Sequence, residues 1–210
     1  GSVIIIDSNG NIFEKQIIKK QEKPCMFEFV YFAKPDSRIN GRSVHNVRAE
    51  LGRLLAKNHP VEADVVVPVP ESGRHYATGY AHESKIPLDE GIMKDKDERS
   101  FIHQKQEDRE KVVEEGLSYL RSVLDGKRVV LIDDSIVRGT NMRKLIKGLR
   151  EAGAKEVHVR IGCPPLIALC YLEIDMKSKK EFIAREKNGK IKSWDKIGKE
   201  IGADSLAYTT

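Results

Sequence analysis

Cysteine is scarce in this chain: Cys25, Cys163 and Cys170 are the only three in 210 residues, an odd number at irregular spacing. That excludes a secreted disulfide framework and points to a reducing, cytoplasmic setting. Long apolar runs are also missing. None approaches the roughly 20 residues that a spanning helix needs, and Val3 to Ile6 is far too short for a signal-peptide core. No membrane partner is therefore expected. Charge of neither sign dominates, with 37 basic and 32 acidic residues giving a net +5. Because those charges are interspersed, nucleic acid is not expected either, and a phosphorylated small molecule fits the balance equally well. Aromatics are few, at 6%, and the many Lys and Glu residues resemble an ion-paired thermophile surface. Internal repeats and low-complexity stretches are absent. What remains, 40% hydrophobic residues over this length, suffices for one packed α/β domain.

The opening Gly1-Ser2 reads as an expression scar. Val3 to Ile6 and Ile12 to Ile18 read as two short strands about the polar turn Asp7 to Asn11, either a hairpin or the stump of a preceding domain. Cys25 to Ala33 is apolar and aromatic, which predicts a buried strand ending before Pro35. Val44, Val47, Leu51, Leu54 and Leu55 recur at three- and four-residue intervals and predict a helix over 43–56. Asp64 to Val69 is a β-branched strand feeding a tight loop at Glu71-Ser72-Gly73, with a helix over 74–84. From Gly91 to Gln106 there is little periodicity, so an exposed mobile loop is expected, a candidate lid. Helical spacing returns over 107–124. Val129 to Ile132 is a buried strand ending at Asp133 and Asp134, followed by a helix over 140–151 that Gly153 terminates, then a strand over 156–161. Short helices are expected over 178–184 and 194–201. This alternation predicts an α/β fold with a mostly parallel central sheet covered by helices on both faces, its ligands at the carboxyl ends of the strands.

The strongest chemical signal is VVLIDDSIVRGTN, Val129 to Asn141. Backbone N–H groups at a helix start, hydroxyl donors and a glycine that allows close approach form a phosphate cradle. Two adjacent acids at a strand tip can accept from ribose hydroxyls or hold hydrated Mg²⁺. Together they suggest a sugar phosphate.

This string closely resembles the phosphoribosylpyrophosphate-binding motif of type I phosphoribosyltransferases. The form DDSIVRGT, with PCMFEFVYFAKPDS at 24–37, DVVVPVPESG at 64–73, GYA at 79–81, RSFI at 99–102 and GADSLAY at 202–208, resembles a branch that transfers ammonia at the first committed step of purine synthesis. The resemblance implies the type I fold over residues 24–210, with 1–23 as tag and amino-terminal extension. It implies that Ser135, Ile136, Val137, Arg138, Gly139, Thr140 and Asn141 hold the 5-phosphate. Asp133 and Asp134 would meet the ribose hydroxyls and Mg²⁺. Glu71, Ser72, Gly73 and Arg74 would receive pyrophosphate, Ser72 also sharing the metal. Lys94 and Arg99 would lie in a loop that closes over the substrate and places positive charge on the leaving group.

The implied reaction converts phosphoribosylpyrophosphate and ammonia to 5-phosphoribosylamine and pyrophosphate in de novo purine synthesis. Such enzymes carry an amino-terminal glutaminase domain that is expected to be absent from this chain, so it is either the synthase half of a longer or split enzyme, or takes its nucleophile as free ammonia or from a separate glutaminase subunit. A homo-oligomer is also implied. Asp95 to Glu98 replaces the family's usual Tyr-Val-Gly, Glu114 to Leu117 replaces a cationic Arg-Lys-Leu-Asn element, and Asn141 stands where Thr or Ser is usual. Cys25 and Cys170 fall where iron–sulfur members place two of four ligands. Four thiolates are the requirement, so no cluster is expected, and all three cysteines read as buried small hydrophobes. The competing readings are a nucleobase phosphoribosyltransferase, which needs a hood to stack a base, and a non-catalytic binder of phosphoribosylpyrophosphate that regulates a partner.

Overall fold

Antiparallel pairing opens the chain. In the computed structural model β1 (Ser2–Ile6) and β2 (Ile12–Gln16) flank a turn in which the Asp7 carboxylate accepts from Asn9 and Asn11. The structure describes residues 1–19, 24–94, 111–114, 116–170, 178, 181–186 and 188–209, with backbone alone over 111–114. This is the expected hairpin, and both strands are exposed along their whole length.

The strand expected over 25–33 is instead a π-helical turn, Glu28–Phe32. Tertiary contacts decide it. Arg48 donates Nε and Nη2 to the carbonyls of Phe29 and Ala33 at 2.7 and 2.9 Å, and the Tyr76 hydroxyl donates to that of Val30 at 2.9 Å. Carbonyls that a neighbouring strand would have used are thus taken by two helices.

A two-residue ladder, β3 (Arg38–Ile39) with β4 (Arg42–Ser43), feeds α1 (Val44–Asn58), whose N-cap Ser43 accepts from the Asn46 amide. Then come β5 (Val65–Pro68), α2 (Arg74–Ser84) and β6 (Ile92–Lys94). The loop expected from Gly91 therefore begins as a strand, with Gly91 and Ile92 buried; its remainder, 95–106, lies outside the described residues.

The helix expected over 107–124 is also corrected. Strands β7 (Lys111–Glu114) and β8 (Leu117–Leu120) form a hairpin about Gly116 at φ +77°, so among the described residues of that stretch only the four-residue α3 (Arg121–Leu124) is helical; 107–110 and 115 lie outside them. Strand pairing wins because β8 is held by β6 and β7 on its two edges and buries Ser118 and Tyr119.

Next come β9 (Arg128–Asp133), α4 (Thr140–Glu151), β10 (Glu156–Ile161), α5 (Trp194–Ile201) and β11 (Ser205–Tyr208). In the described part of 178–184, Glu181 is 3-10 helical, its amide donating to the Ser178 carbonyl at 3.2 Å, while Phe182, Ile183 and Ala184 lie beyond it, buried and outside any helix.

The main sheet is parallel, in the order β11-β10-β9-β5. Alternation along each strand sorts its side chains between two layers. Val65, Val67, Val129 and Leu131 join the α4 and α5 residues Leu145, Leu149, Ile197 and Ile201, while Val66, Val130 and Ile132 meet Leu55, Tyr76 and Tyr80 of α1 and α2. Helices on both faces leave the carboxyl ends of β5 and β9 side by side, with Pro68 opposite Ile132.

Candidate active site

Two loops leave those adjacent strand ends. After β5, Val69 to Gly73 turns sharply into α2, and the Pro70–Glu71 peptide is cis. Gly73 is required by proximity, because a Cβ there would lie 2.3 Å from the Ile132 carbonyl oxygen of β9. That close approach brings Ser72 against the second loop, where its hydroxyl donates to Asp133 Oδ1 at 3.2 Å.

After β9, Asp133 Oδ1 also accepts from the Asp134 amide at 2.8 Å, and the Ser135 hydroxyl donates to Asp134 Oδ1 at 2.5 Å. Burial and the neighbouring Asp134 carboxylate push Asp133 well above the usual carboxylate range, and burial raises Asp134 as well. The Arg48 guanidinium behind them pulls Asp134 in the opposite direction. One buried and one half-buried carboxylate, with a hydroxyl, make an all-oxygen donor set, which suits a hard divalent cation. Among the described residues no three His, Cys, Asp or Glu side chains gather around one point, so such a cation would need ligand or water oxygens to complete its shell.

The second loop runs Ser135 to Gly139 and enters α4 at Thr140. Gly139 adopts φ +74°, the left-handed region that favours glycine. A cavity of about 830 Å³ opens here, lined by Ser72, Asp133, Asp134 and every residue from Ser135 to Asn141. Its other walls are Tyr31, Val69, Pro70, Leu117, Tyr119, Met142, Lys144 and Leu145.

Of the residues singled out in the sequence, these ten share the cavity. Glu71, Gly73, Arg74 and Lys94 do not line it. Arg74 is engaged by Glu71 at 2.9 Å and by Glu90, and Lys94 is the exposed end of β6, opposite Leu117 in register. Arg99 lies outside the described residues. Sequence reasoning missed Tyr31 and Tyr119 because their segments were assigned the wrong secondary structure. Lys144 was legible as one helical turn beyond Thr140. The cysteine reading is corrected in part: Cys163 is buried, but Cys25 is exposed and Cys170 half-buried.

Comparison with known families is then decisive: the Phosphoribosyl transferase domain matches residues 42–201. The chain belongs to that family. This phosphoribosyl transferase domain is 55% identical over 185 residues to the amidophosphoribosyltransferase of Methanocaldococcus jannaschii, covering 88% of this chain and 38% of that protein. A solved structure described as the allosteric regulatory enzyme of purine biosynthesis superposes with TM-score 0.84 at 42% identity, over all of this chain and 44% of the other. The glutamine phosphoribosylpyrophosphate amidotransferase of B. subtilis, complexed with ADP and GMP, superposes with TM-score 0.83 at 41% identity, over 100% and 45%. The likeness extends to the fold, an α/β arrangement about a parallel sheet. This chain spans under half the length of these relatives. Among the described residues no helix is long and apolar enough to cross a membrane.

Proposed function

We propose that this chain is the phosphoribosyltransferase unit of an amidophosphoribosyltransferase, converting phosphoribosylpyrophosphate and ammonia to 5-phosphoribosylamine and pyrophosphate in purine synthesis. The observation that carries the reading is the shared cavity: the acid pair, Ser72 and the entire Ser135–Asn141 loop converge on it. Residues 24–210 would form the catalytic unit and 1–23 an extension. Loop amides with the Thr140 and Asn141 side chains would hold the 5-phosphate, with Arg138 at the loop's outer side. Asp133 and Asp134 would accept from the ribose hydroxyls and, with Ser72, hold Mg²⁺. When bound, that ion supplies neutralisation of charge on the pyrophosphate oxygens.

Ammonia forms the new C–N bond at the anomeric carbon as the C–O bond to pyrophosphate breaks, and its surplus proton leaves to solvent. No protein nucleophile is needed. Positioning by the two loops converts the encounter into a unimolecular step, and Lys94 and Arg99 would supply charge as the loop closes. Ammonia would come from a glutaminase unit, on the same polypeptide or on a partner subunit, or from free ammonia, and a homo-oligomer is the proposed assembly in the cytoplasm.

The test is pyrophosphate release with Mg²⁺, comparing ammonium with glutamine. Turnover with ammonium alone, abolished in Asp133→Asn/Asp134→Asn, supports the reading. A second reading, a regulator that binds phosphoribosylpyrophosphate without turnover, draws on one feature: the β7–β8 hairpin beside the cavity carries Glu114 and Gly116 where cations are usual. Tight binding without ammonia-dependent release would select it.

A further inference from the structure

The phosphate loop has a back as well as a cavity face. Three consecutive loop residues are held by the short segment Glu181 to Ile183, none of which lines the cavity. Val137 offers its carbonyl to the Ile183 amide at 2.8 Å. Arg138 donates Nε to Glu181 Oε2 at 2.8 Å, and its Nη2 reaches the same oxygen. Gly139 presses on Ile183, whose Cδ1 would stand 2.3 Å from any added Cβ. The other Glu181 oxygen accepts from the Ser178 amide at 3.0 Å, so both carboxylate oxygens are committed. Glu181 is also the shielded partner: its side chain is 19% exposed against 62% for Arg138.

We propose that Glu181 is a positioning residue for the phosphate loop, tethering Arg138 outward so that the backbone amides of Ser135 to Thr140 stay ordered toward the ligand phosphate. The inference rests on the proposed substrate only for its second readout. Partial exposure of Arg138 limits what the ion pair contributes to global stability. Its value lies in fixing a loop that must present several donors at once, where one misplaced turn weakens every contact to the phosphate. Ground-state and transition-state binding of that phosphate are alike, so losing the tether raises KM for phosphoribosylpyrophosphate and leaves kcat nearly unchanged.

Two measurements on the full chain test this. Amide hydrogen exchange over the 135–140 peptide is expected to quicken in Glu181→Ala and in Arg138→Gln, with the double variant no faster than the faster single one. Exchange elsewhere and the thermal midpoint serve as the check on folding, with Glu181→Gln as the milder variant. In the ammonia assay Glu181→Gln is expected to raise KM about tenfold at near-constant kcat. Unchanged loop exchange in Glu181→Ala overturns the proposal. So does tighter substrate binding in that variant, which would mean that Glu181 restrains Arg138 from the phosphate. A wild-type chain with no turnover would count against the proposed function alone, because the exchange comparison needs no substrate.

Discussion

Gly139 carries two constraints in one residue. Its φ of +74° strains any side chain, and a Cβ would collide with Ile183 at the hinge between loop and helix. Gly139→Ala should therefore cost about 2 kcal/mol or more in chemical denaturation, and it should weaken phosphoribosylpyrophosphate binding in a titration. A variant with unchanged stability and affinity would mean that the loop relaxes freely. Asp64 gives a second residue-scale test. Arg128 donates to it from backbone and side chain, holding the carboxyl down to about 2. In the unfolded chain it titrates near its ordinary value of about 3.9, so this contribution is complete above about pH 4 and is lost as the pH falls toward 2. Stability measured over that window should fall less steeply in Asp64→Asn than in the parent. The acid pair and the loop were legible in the sequence because strand, carboxylates, glycine and hydroxyls are contiguous. Tyr31, Arg48 and Glu181 were not, because each acts on residues at least fifteen positions away.

Elements whose stabilising contacts are local were read correctly. Helices α1, α2, α4 and α5 carry apolar stripes at helical spacing, and Ser43 and Ser193 cap two of them. The failures share one cause. Residues 107–124 contain apolar residues at spacings that fit either period, and the choice was made by partners: β6 and β7 along the edges of β8, and α4 behind it, where the Tyr119 ring leaves no room for a Cβ on Gly148. The aromatic turn at 28–32 was decided likewise by Arg48 and Tyr76. The β1–β2 hairpin is the opposite case, formed by its own turn and exposed throughout, with Ile4, Ile6 and Ile12 each more than 60% accessible. A variant beginning at Pro24 should therefore keep the denaturation midpoint of the full chain. A large drop in midpoint would show that the hairpin stabilises the body of the protein.

At the scale of the whole molecule, the order β11-β10-β9-β5 brings residues from distant segments to one end of the sheet. Ser72 meets Asp133 across 61 positions, and Tyr31 faces the same cavity from an element outside the sheet. By itself the sequence determined the layered α/β class, most helix limits, the strand-end acids and the glycine- and hydroxyl-bearing loop that follows them, since these depend on short-range periodicity, capping and backbone donors within one turn of a helix. Only the tertiary structure decided which side chains close the cavity, which of the neighbouring cations are engaged by carboxylates, and what braces the loop from behind. The reason is physical: burial and hydrogen-bond partners are set by packing between segments far apart in the chain, and period and propensity carry no record of who the partner will be.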